Sequence, residues 1–164
     1  MFAAARALGA EDLRGADPAA LDRAALPPRV RDRAAHFFAE NERVARMAEA
    51  FRRGDMAAVL ECMNESGRSS RKLLRNVIPA SHPEQTDMAQ ALDRAEAFLR
   101  GRGAWRIHGG GFAGCVQCLV PEGEYDDFRG YMDGFYGPGS CFELRIRPWG
   151  VRFTGGETGE ENHV

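Results

Sequence analysis

The sequence contains almost no lysine and no long apolar run. Lys72 is the only lysine, so arginine carries nearly all of the positive charge, and the formal net charge is -2. The arginines alternate with Asp and Glu along predicted helices, which is typical of solvated, salt-bridged helix faces. A nucleic-acid-binding surface needs basic residues without acidic partners, and a membrane-spanning helix needs about 18 consecutive apolar residues. The sequence therefore predicts neither a nucleic-acid partner nor a membrane span.

The N-terminus also lacks the features of a secretory signal, because its weakly apolar start becomes charged at Arg6. We therefore expect a cytoplasmic protein. A length of 164 residues fits about one domain. The hydrophobic fraction of 44% beside 28% charged residues is typical of a soluble chain that buries a core.

Cysteine is sparse, and two of the four, Cys115 and Cys118, form a C-x-x-C pair. A zinc ribbon needs a second ligand pair, and a thioredoxin-like motif opens a helix. Here the pair lies in a strand-like run, where an offset of three places the two side chains on opposite faces. We expect buried structural thiols and no metal site. A small metal- or thiol-dependent enzyme that uses this pair is the alternative.

The first half of the chain is predicted to be helical. Residues 1–28 should form short helical pieces, and Pro27 and Pro28 suit the start of a long helix that ends at Gly54. Apolar positions alternate at spacings of four and three along one face of this helix. The stripe comprises Val30, Ala34, Phe37, the polar exception Asn41, Val44, Ala48 and Phe51.

Asp55 is placed to cap the next helix. Its apolar face runs into a small, polar stretch, residues 64–70, before the helical spacing resumes at Leu73 and ends near Val77. We prefer one continuous helix with a polar patch over a loop. Gly67 costs about 1 kcal/mol there relative to alanine, so we expect a neighbour that packs close to it. Ser81, followed by Glu84, predicts the start of a third helix that ends near Gly101.

The last third changes period. Strands are predicted around residues 105–108, 116–120 and 142–146, with a short final strand at Val151 and Phe153 and a helix from Tyr125 to Phe135 closed by Gly137. Residues 154–164 are polar and glycine-rich, which predicts disorder. Helices followed by an antiparallel sheet indicate an α+β fold of the ferredoxin-like kind over residues 1–153.

Three consecutive glycines, Gly109 to Gly111, lie between the first two predicted strands. Glycine permits backbone angles closed to other residues and lets a backbone or a phosphate approach. Successive N–H groups form an anion-binding nest. No lysine follows, and a strand rather than a helix comes next, so this is not a P-loop. Taken alone, the glycines favour a tight strand-to-strand connection.

The segment from His108 to Cys115, H-G-G-G-F-A-G-C, resembles the third signature motif of GHMP kinases, and Arg106 matches the arginine that precedes the galactokinase form of it. Residues 33–44 resemble the galactokinase helix R-x-x-H-x-x-x-E-N-x-R-V. Residues 54–55, Met63 and 65–70, including E-S-G-R-S-S, resemble a later galactokinase pattern. The resemblance covers roughly residues 1–153.

The resemblance implies that this chain corresponds to the C-terminal domain of a galactokinase-like sugar kinase. It implies a phosphate-proximal loop, which comprises Gly109, Gly110, Gly111, Phe112, Ala113 and Gly114. It also implies residues that face the active-site cleft, namely Arg106, His108, Ser66, Ser69 and Ser70. We expect the three serines to face the glycine loop; a solvated face is the alternative. For His108, an exposed strand end is equally compatible with the sequence.

The same resemblance implies an N-terminal domain that carries the sugar-binding residues, the catalytic Asp and the nucleotide phosphate loop, and no motif for these occurs in the chain. The intact enzyme would use ATP and Mg²⁺; we expect neither to bind tightly to this chain alone, and we expect it alone to be inactive. Its partner would be that domain. The alternative is a non-catalytic module that pairs with another chain or with itself. Gly67 replaces the usual His, so the sugar, galactose or a relative, stays open.

Overall fold

The computed structural model describes residues 1–112, 114–145 and 149. The helices are α1 (Phe2–Ala7), α2 (Pro28–Arg53), α3 (Met56–Ser69), α4 (Asp87–Leu99) and α5 (Tyr125–Tyr136), and the strands are β1 (Ala104–His108) and β2 (Cys115–Leu119). Short 3-10 helices occupy Pro18–Ala20 and Glu122–Glu124. Four helices precede an antiparallel pair of strands, so the α+β class is confirmed.

The boundaries of α2 follow from local chemistry. The helix starts at Pro28, where the missing N–H would have no helical partner. It ends before Gly54, whose φ of 68° is the left-handed conformation that glycine adopts without strain. The Asp55 carboxylate then accepts a hydrogen bond of 3.0 Å from the backbone N–H of Ala58. All three predicted boundary signals are confirmed.

The helix that Asp55 caps is continuous through the polar patch, as predicted. α3 passes directly into a π-helix, Ser70–Leu74, which ends at Arg75 with a φ of 53°. The expected close neighbour of Gly67 is Trp105 on β1, because a Cβ added at Gly67 would lie 2.6 Å from the Trp105 carbonyl oxygen. The glycine therefore sets how closely α3 approaches the sheet.

The start predicted at Ser81 for the helix that became α4 is wrong. Ser81 does not begin a helix; two turns come first, closed by backbone hydrogen bonds from His82 to Pro79 and from Gln85 to His82. α4 begins at Asp87 instead. The capping pattern from Ser81 to Glu84 is a local signal. In a helix capped at Ser81, the Gln85 N–H would donate to the Ser81 carbonyl. Here it donates to the His82 carbonyl in a turn.

The two strands form a hairpin. Trp105 lies opposite Cys118 and Ile107 opposite Val116. The inner face packs on α4 and α5 in the main core, made of Val77, Met88, Ala89, Leu92, Ala95, Leu99, Trp105, Ile107, Phe128 and Met132. This core joins the hairpin to α4 and α5.

The strand expected at residues 142–146 is not formed by residues 142–145, which have no regular secondary structure. Phe142 and Leu144 are each 82% exposed. An alternating pattern makes a strand only where a neighbouring strand supplies hydrogen bonds. Ile146 and the strand expected at Val151 and Phe153 lie outside the described residues. A ferredoxin-like sheet therefore stays a prediction.

The apolar stripe predicted for α2 is buried only along its first half. There, the first 26 residues pack on the helix in a second cluster that includes Ala34 and Phe38. Farther along, Val44 is 68% exposed and Phe51 is 52% exposed. The helix turns a different and more polar face, which includes His36, toward α3. Hydrophobic spacing identified the helix correctly but assigned the wrong face to the interior of its second half.

None of the helices among the described residues is both long enough and apolar enough to cross a membrane. Residues 154–164, the predicted disordered tail, lie outside the described part of the chain. The extent of the domain over residues 1–153 and the cytoplasmic location stay predictions.

Candidate functional site

The contact between α2 and α3, called the helix seam below, is polar. His36 Nδ1 and Ser69 Oγ share a hydrogen bond of 2.9 Å. The Ser66 hydroxyl donates to Glu40 Oε2 at 2.9 Å, and Arg43 donates to the other carboxylate oxygen of Glu40. Ser66 and His36 are buried. Because buried polar groups are costly when unpaired, these bonds fix the relative rotation of the two helices.

A bidentate ion pair extends the helix seam toward solvent, with Arg46 donating to both carboxylate oxygens of Glu65 at 2.8 and 3.1 Å. Glu65, Ser66 and Gly67 thus each make a specific contact, the first two to α2 and the third to β1. The two helix segments that resemble galactokinase patterns contact each other. The second of these segments also contacts β1, the strand that precedes the glycine loop, through Gly67.

The His36 side chain is kept neutral by its surroundings. Burial lowers the pKa of His36 below its ordinary value of 6.5; Glu40 opposes the shift, and the positive charges of Arg43 and Arg106 add to it. A neutral imidazole can share one hydrogen bond with Ser69 without placing a second positive charge beside Arg43.

This shift predicts that acid weakens the fold. Between the lowered pKa of His36 and 6.5, the unfolded chain binds more protons than the folded chain, so the free energy of unfolding falls as the pH falls through that window. We expect His36→Gln, which retains a polar group for Ser69, to flatten the dependence. Urea unfolding at several pH values from about 5 to 7 measures it. Equal pH slopes in the two proteins would contradict the assignment.

Asn64 fastens α3 to the outer edge of β1. Its Nδ2 donates to the Gly103 carbonyl at 3.2 Å, and its Oδ1 accepts from the Trp105 N–H at 3.0 Å. The side-chain amide therefore occupies two backbone positions that a neighbouring strand would otherwise use.

The glycine loop, residues 109–114, is held by Asn76, which follows the π-helix. The Asn76 backbone carbonyl accepts from the Phe112 N–H at 2.8 Å, and Asn76 Nδ2 donates to the Gly110 carbonyl at 3.0 Å. A Cβ at Gly111 would lie 2.2 Å from the Asn76 carbonyl oxygen. Positive φ angles occur at Gly109 and Gly111, at 81° and 89°. The predicted strand-to-strand connection and the predicted close backbone approach are both confirmed.

The loop leaves space on its other side. A Cβ added at Gly109 or Gly110 would meet no atom of the described residues within 4 Å. Phe112 is exposed and has a φ of 66°, which is strained for an aromatic residue. Gly114 precedes β2, and Ala113 lies outside the described residues. The loop therefore has one face fixed to Asn76 and one face open.

The remaining predicted site residues occupy two places. Arg106, half-buried on β1, donates from Nε to the Ile107 carbonyl and lies near enough to His36 to affect its pKa. His108 is exposed at the end of β1. Ser66 and Ser69 lie against α2 rather than the glycine loop, and Ser70 is buried at the start of the π-helix.

The two thiols of the C-x-x-C pair have different surroundings on β2. Cys115 is exposed, so the expected burial is wrong for this thiol, whereas Cys118 is partly buried; both thiols are free. Burial raises the pKa of Cys118 to about 12, so this thiol stays protonated at neutral pH and is a poor nucleophile. No group of three or more His, Cys, Asp or Glu side chains suited to a metal ion occurs among residues 1–112, 114–145 and 149.

Sequence reasoning missed both buried asparagines, Asn64 and Asn76. Each is a polar residue at the margin of an apolar helical run, next to a residue that the structure buries: Met63 and Val77. This position next to a buried apolar residue is the signal that could have identified them, because a polar side chain that is buried with its neighbour needs a hydrogen-bond partner.

Comparison with known proteins adds a relationship to this geometry. No family model matches the chain. A galactokinase of Actinobacillus pleuropneumoniae serotype 5b (strain L20) is 33% identical over 97 residues, and a second galactokinase of A. pleuropneumoniae is 32% identical over 97 residues. These residues are 59% of this chain and 23% of each relative. The chain thus matches about a quarter of the length of these relatives.

The similarity supports a galactokinase-like relationship for this chain. It extends over more than half of the chain, so it exceeds what a short glycine-rich motif would produce alone.

Proposed function

We propose that this chain is the C-terminal domain of a galactokinase-like member of the GHMP kinases, and that its glycine loop forms one wall of the active-site cleft. The identity with two galactokinases over 97 residues carries the proposal. The intact protein would transfer a phosphoryl group from ATP to galactose or a related sugar.

The geometry of the glycine loop supports this role. Phosphoryl transfer depends on positioning and on neutralising charge, which requires elements to close tightly around the phosphates. The open face of the loop at Gly109 and Gly110 has no side chains, so a second element can approach its backbone. Asn76 holds the opposite face, which keeps the loop in place as that element closes.

On this proposal, the rest of the catalytic machinery lies in the partner domain. The glycine loop contains no lysine, and the described residues contain no cluster of ligands for a metal ion. We therefore assign no Mg²⁺ ligand and no catalytic base to this chain. Those groups belong to the N-terminal domain that the proposal requires as a partner.

A chimera tests the proposal. The 97 aligned residues of the A. pleuropneumoniae galactokinase would be replaced by the matching 97 residues of this chain. We expect galactose-dependent ADP release within about tenfold of the parent enzyme, a loss of about 1.4 kcal/mol or less in transition-state stabilisation. The 164-residue chain alone should release no ADP, because it lacks the phosphate cradle.

The parent enzyme with the same 97 residues deleted is the control and should be inactive. A chimera that folds, with the parent's melting temperature, yet shows no turnover would overturn the proposal. It would favour the alternative, a non-catalytic module that pairs with another chain or with itself. The exposed Val44 and Phe51 on α2 are the observation that favours that alternative.

A further inference from the structure

The peptide between Gly110 and Gly111 has a defined orientation. Its carbonyl points at Asn76, because Asn76 Nδ2 donates to Gly110 O at 3.0 Å. The described chain contains no cis peptide bond, and in a planar trans peptide the C=O and N–H point in opposite directions. The Gly111 N–H therefore points away from Asn76, and no backbone or side-chain acceptor among the described residues receives it.

Asn76 uses only half of its side-chain amide. The residue is 4% exposed, yet its Oδ1 has no hydrogen-bond partner among residues 1–112, 114–145 and 149. An unpaired buried acceptor lowers the stability of the state that contains it. The same side chain thus holds the Gly110 carbonyl with its donor and carries an acceptor that no described residue pairs.

The residues on both sides of this peptide are glycines, which matters for its mobility. Turning the peptide over changes ψ of Gly110 and φ of Gly111 by about half a turn each. Glycine tolerates both signs of φ about equally, so both orientations are open to the backbone. In the reversed orientation the Gly111 N–H faces the place that Asn76 Nδ2 now occupies, and a half-turn of the Asn76 side-chain amide brings its unused acceptor there. The Gly110 carbonyl then faces the open side of the loop.

We propose that the Gly110–Gly111 peptide is a two-state element and that Asn76 is its positioning residue. The orientation in the structure offers the Gly111 N–H to an anionic oxygen on the open side of the loop. The reversed orientation withdraws that donor and presents a carbonyl. The identification of the anion as a phosphoryl oxygen rests on the proposed function. The two orientations and the positioning role of Asn76 do not depend on it.

Hydrogen exchange at the Gly111 amide tests the proposal on the full 164-residue chain. In the native protein this amide should exchange with little protection. Its NMR resonance should shift when inorganic phosphate is added. Asn76→Asp supplies a carboxylate that accepts but cannot donate, so it should favour the reversed orientation. We expect exchange at Gly111 to slow by about tenfold or more, and the response to phosphate to disappear.

Two variants separate this effect from a general change in the loop. Asn76→Ala removes the whole amide, so Gly111 should stay unprotected. Asn64→Asp makes the same substitution at the other buried asparagine, which bonds β1 rather than the loop, and should not protect Gly111. Equal exchange at Gly111 in the native chain and in folded Asn76→Asp would overturn the proposal.

Should Asn76→Asp fail to fold, NMR relaxation dispersion on the native chain decides instead. The two-state element predicts exchange confined to Gly110, Gly111 and Phe112, suppressed by inorganic phosphate. A loop without such exchange would refute it. Neither measurement uses ATP or sugar. An inactive chimera would therefore contradict only the proposed function, and a rigid peptide would contradict only the two-state element.

Discussion

Gly111→Ala should destabilise the fold by about 3 kcal/mol. Alanine at a φ of 89° costs about 1 to 2 kcal/mol. Its Cβ would also lie 2.2 Å from the Asn76 carbonyl oxygen, a backbone atom that cannot rotate aside. Forced overpacking of this kind costs about 1 to 3 kcal/mol. Urea unfolding followed by circular dichroism measures the change.

The neighbouring glycine is the matched control. Gly110 does not have a positive φ, and a Cβ there would meet no atom within 4 Å. Gly110→Ala should therefore change the free energy of unfolding by no more than about 0.5 kcal/mol. Equal stability of the two variants would mean that Asn76 does not hold the loop in the way the structure shows.

Gly67→Ala should destabilise the chain by about 2 kcal/mol, although alanine is the better helix former. Within α3, alanine gains about 1 kcal/mol of helix propensity. That gain is outweighed because the new Cβ would lie 2.6 Å from the Trp105 carbonyl oxygen and 3.0 Å from its ring. α3 must then move away from β1, which strains the two Asn64 hydrogen bonds. Thermal unfolding and the near-UV spectrum of the tryptophans report the shift.

A glycine in another helix isolates the packing effect. Gly130 lies within α5, is exposed, and has open space where its Cβ would be. Gly130→Ala should therefore stabilise the protein by up to about 1 kcal/mol. If Gly67→Ala stabilised the chain to the same extent, the close contact between α3 and Trp105 would be refuted.

Signals that act within a few residues were read correctly from the sequence. The proline at the start of α2, the left-handed Gly54 and the Asp55 cap each depend on backbone groups next to them in the chain. Gly137 ends α5 for the same reason. Ser81 shows the limit, since a matching cap pattern preceded two turns rather than a helix.

The site was predicted in part. The glycine loop was located from its own residues, because three consecutive glycines have few structural uses. Its partner, Asn76, is 34 positions from Gly110 in the chain and has no motif of its own. Ser66 and Ser69 were recognised as a patch, but which surface they meet depends on the rotation of α3 against α2.

By itself, the sequence determined the order of the long helices and of the first two strands, the positions of most helix ends and the two-strand connection with its glycine loop. Periodicity, caps and glycine conformations are properties of short segments, so they can be read in order along the chain. Only the tertiary structure decided which face of α2 is buried, which residue holds the loop and why Gly67 is a glycine. Those answers depend on contacts between residues far apart in the chain, and such contacts form only after the helices and the hairpin pack together.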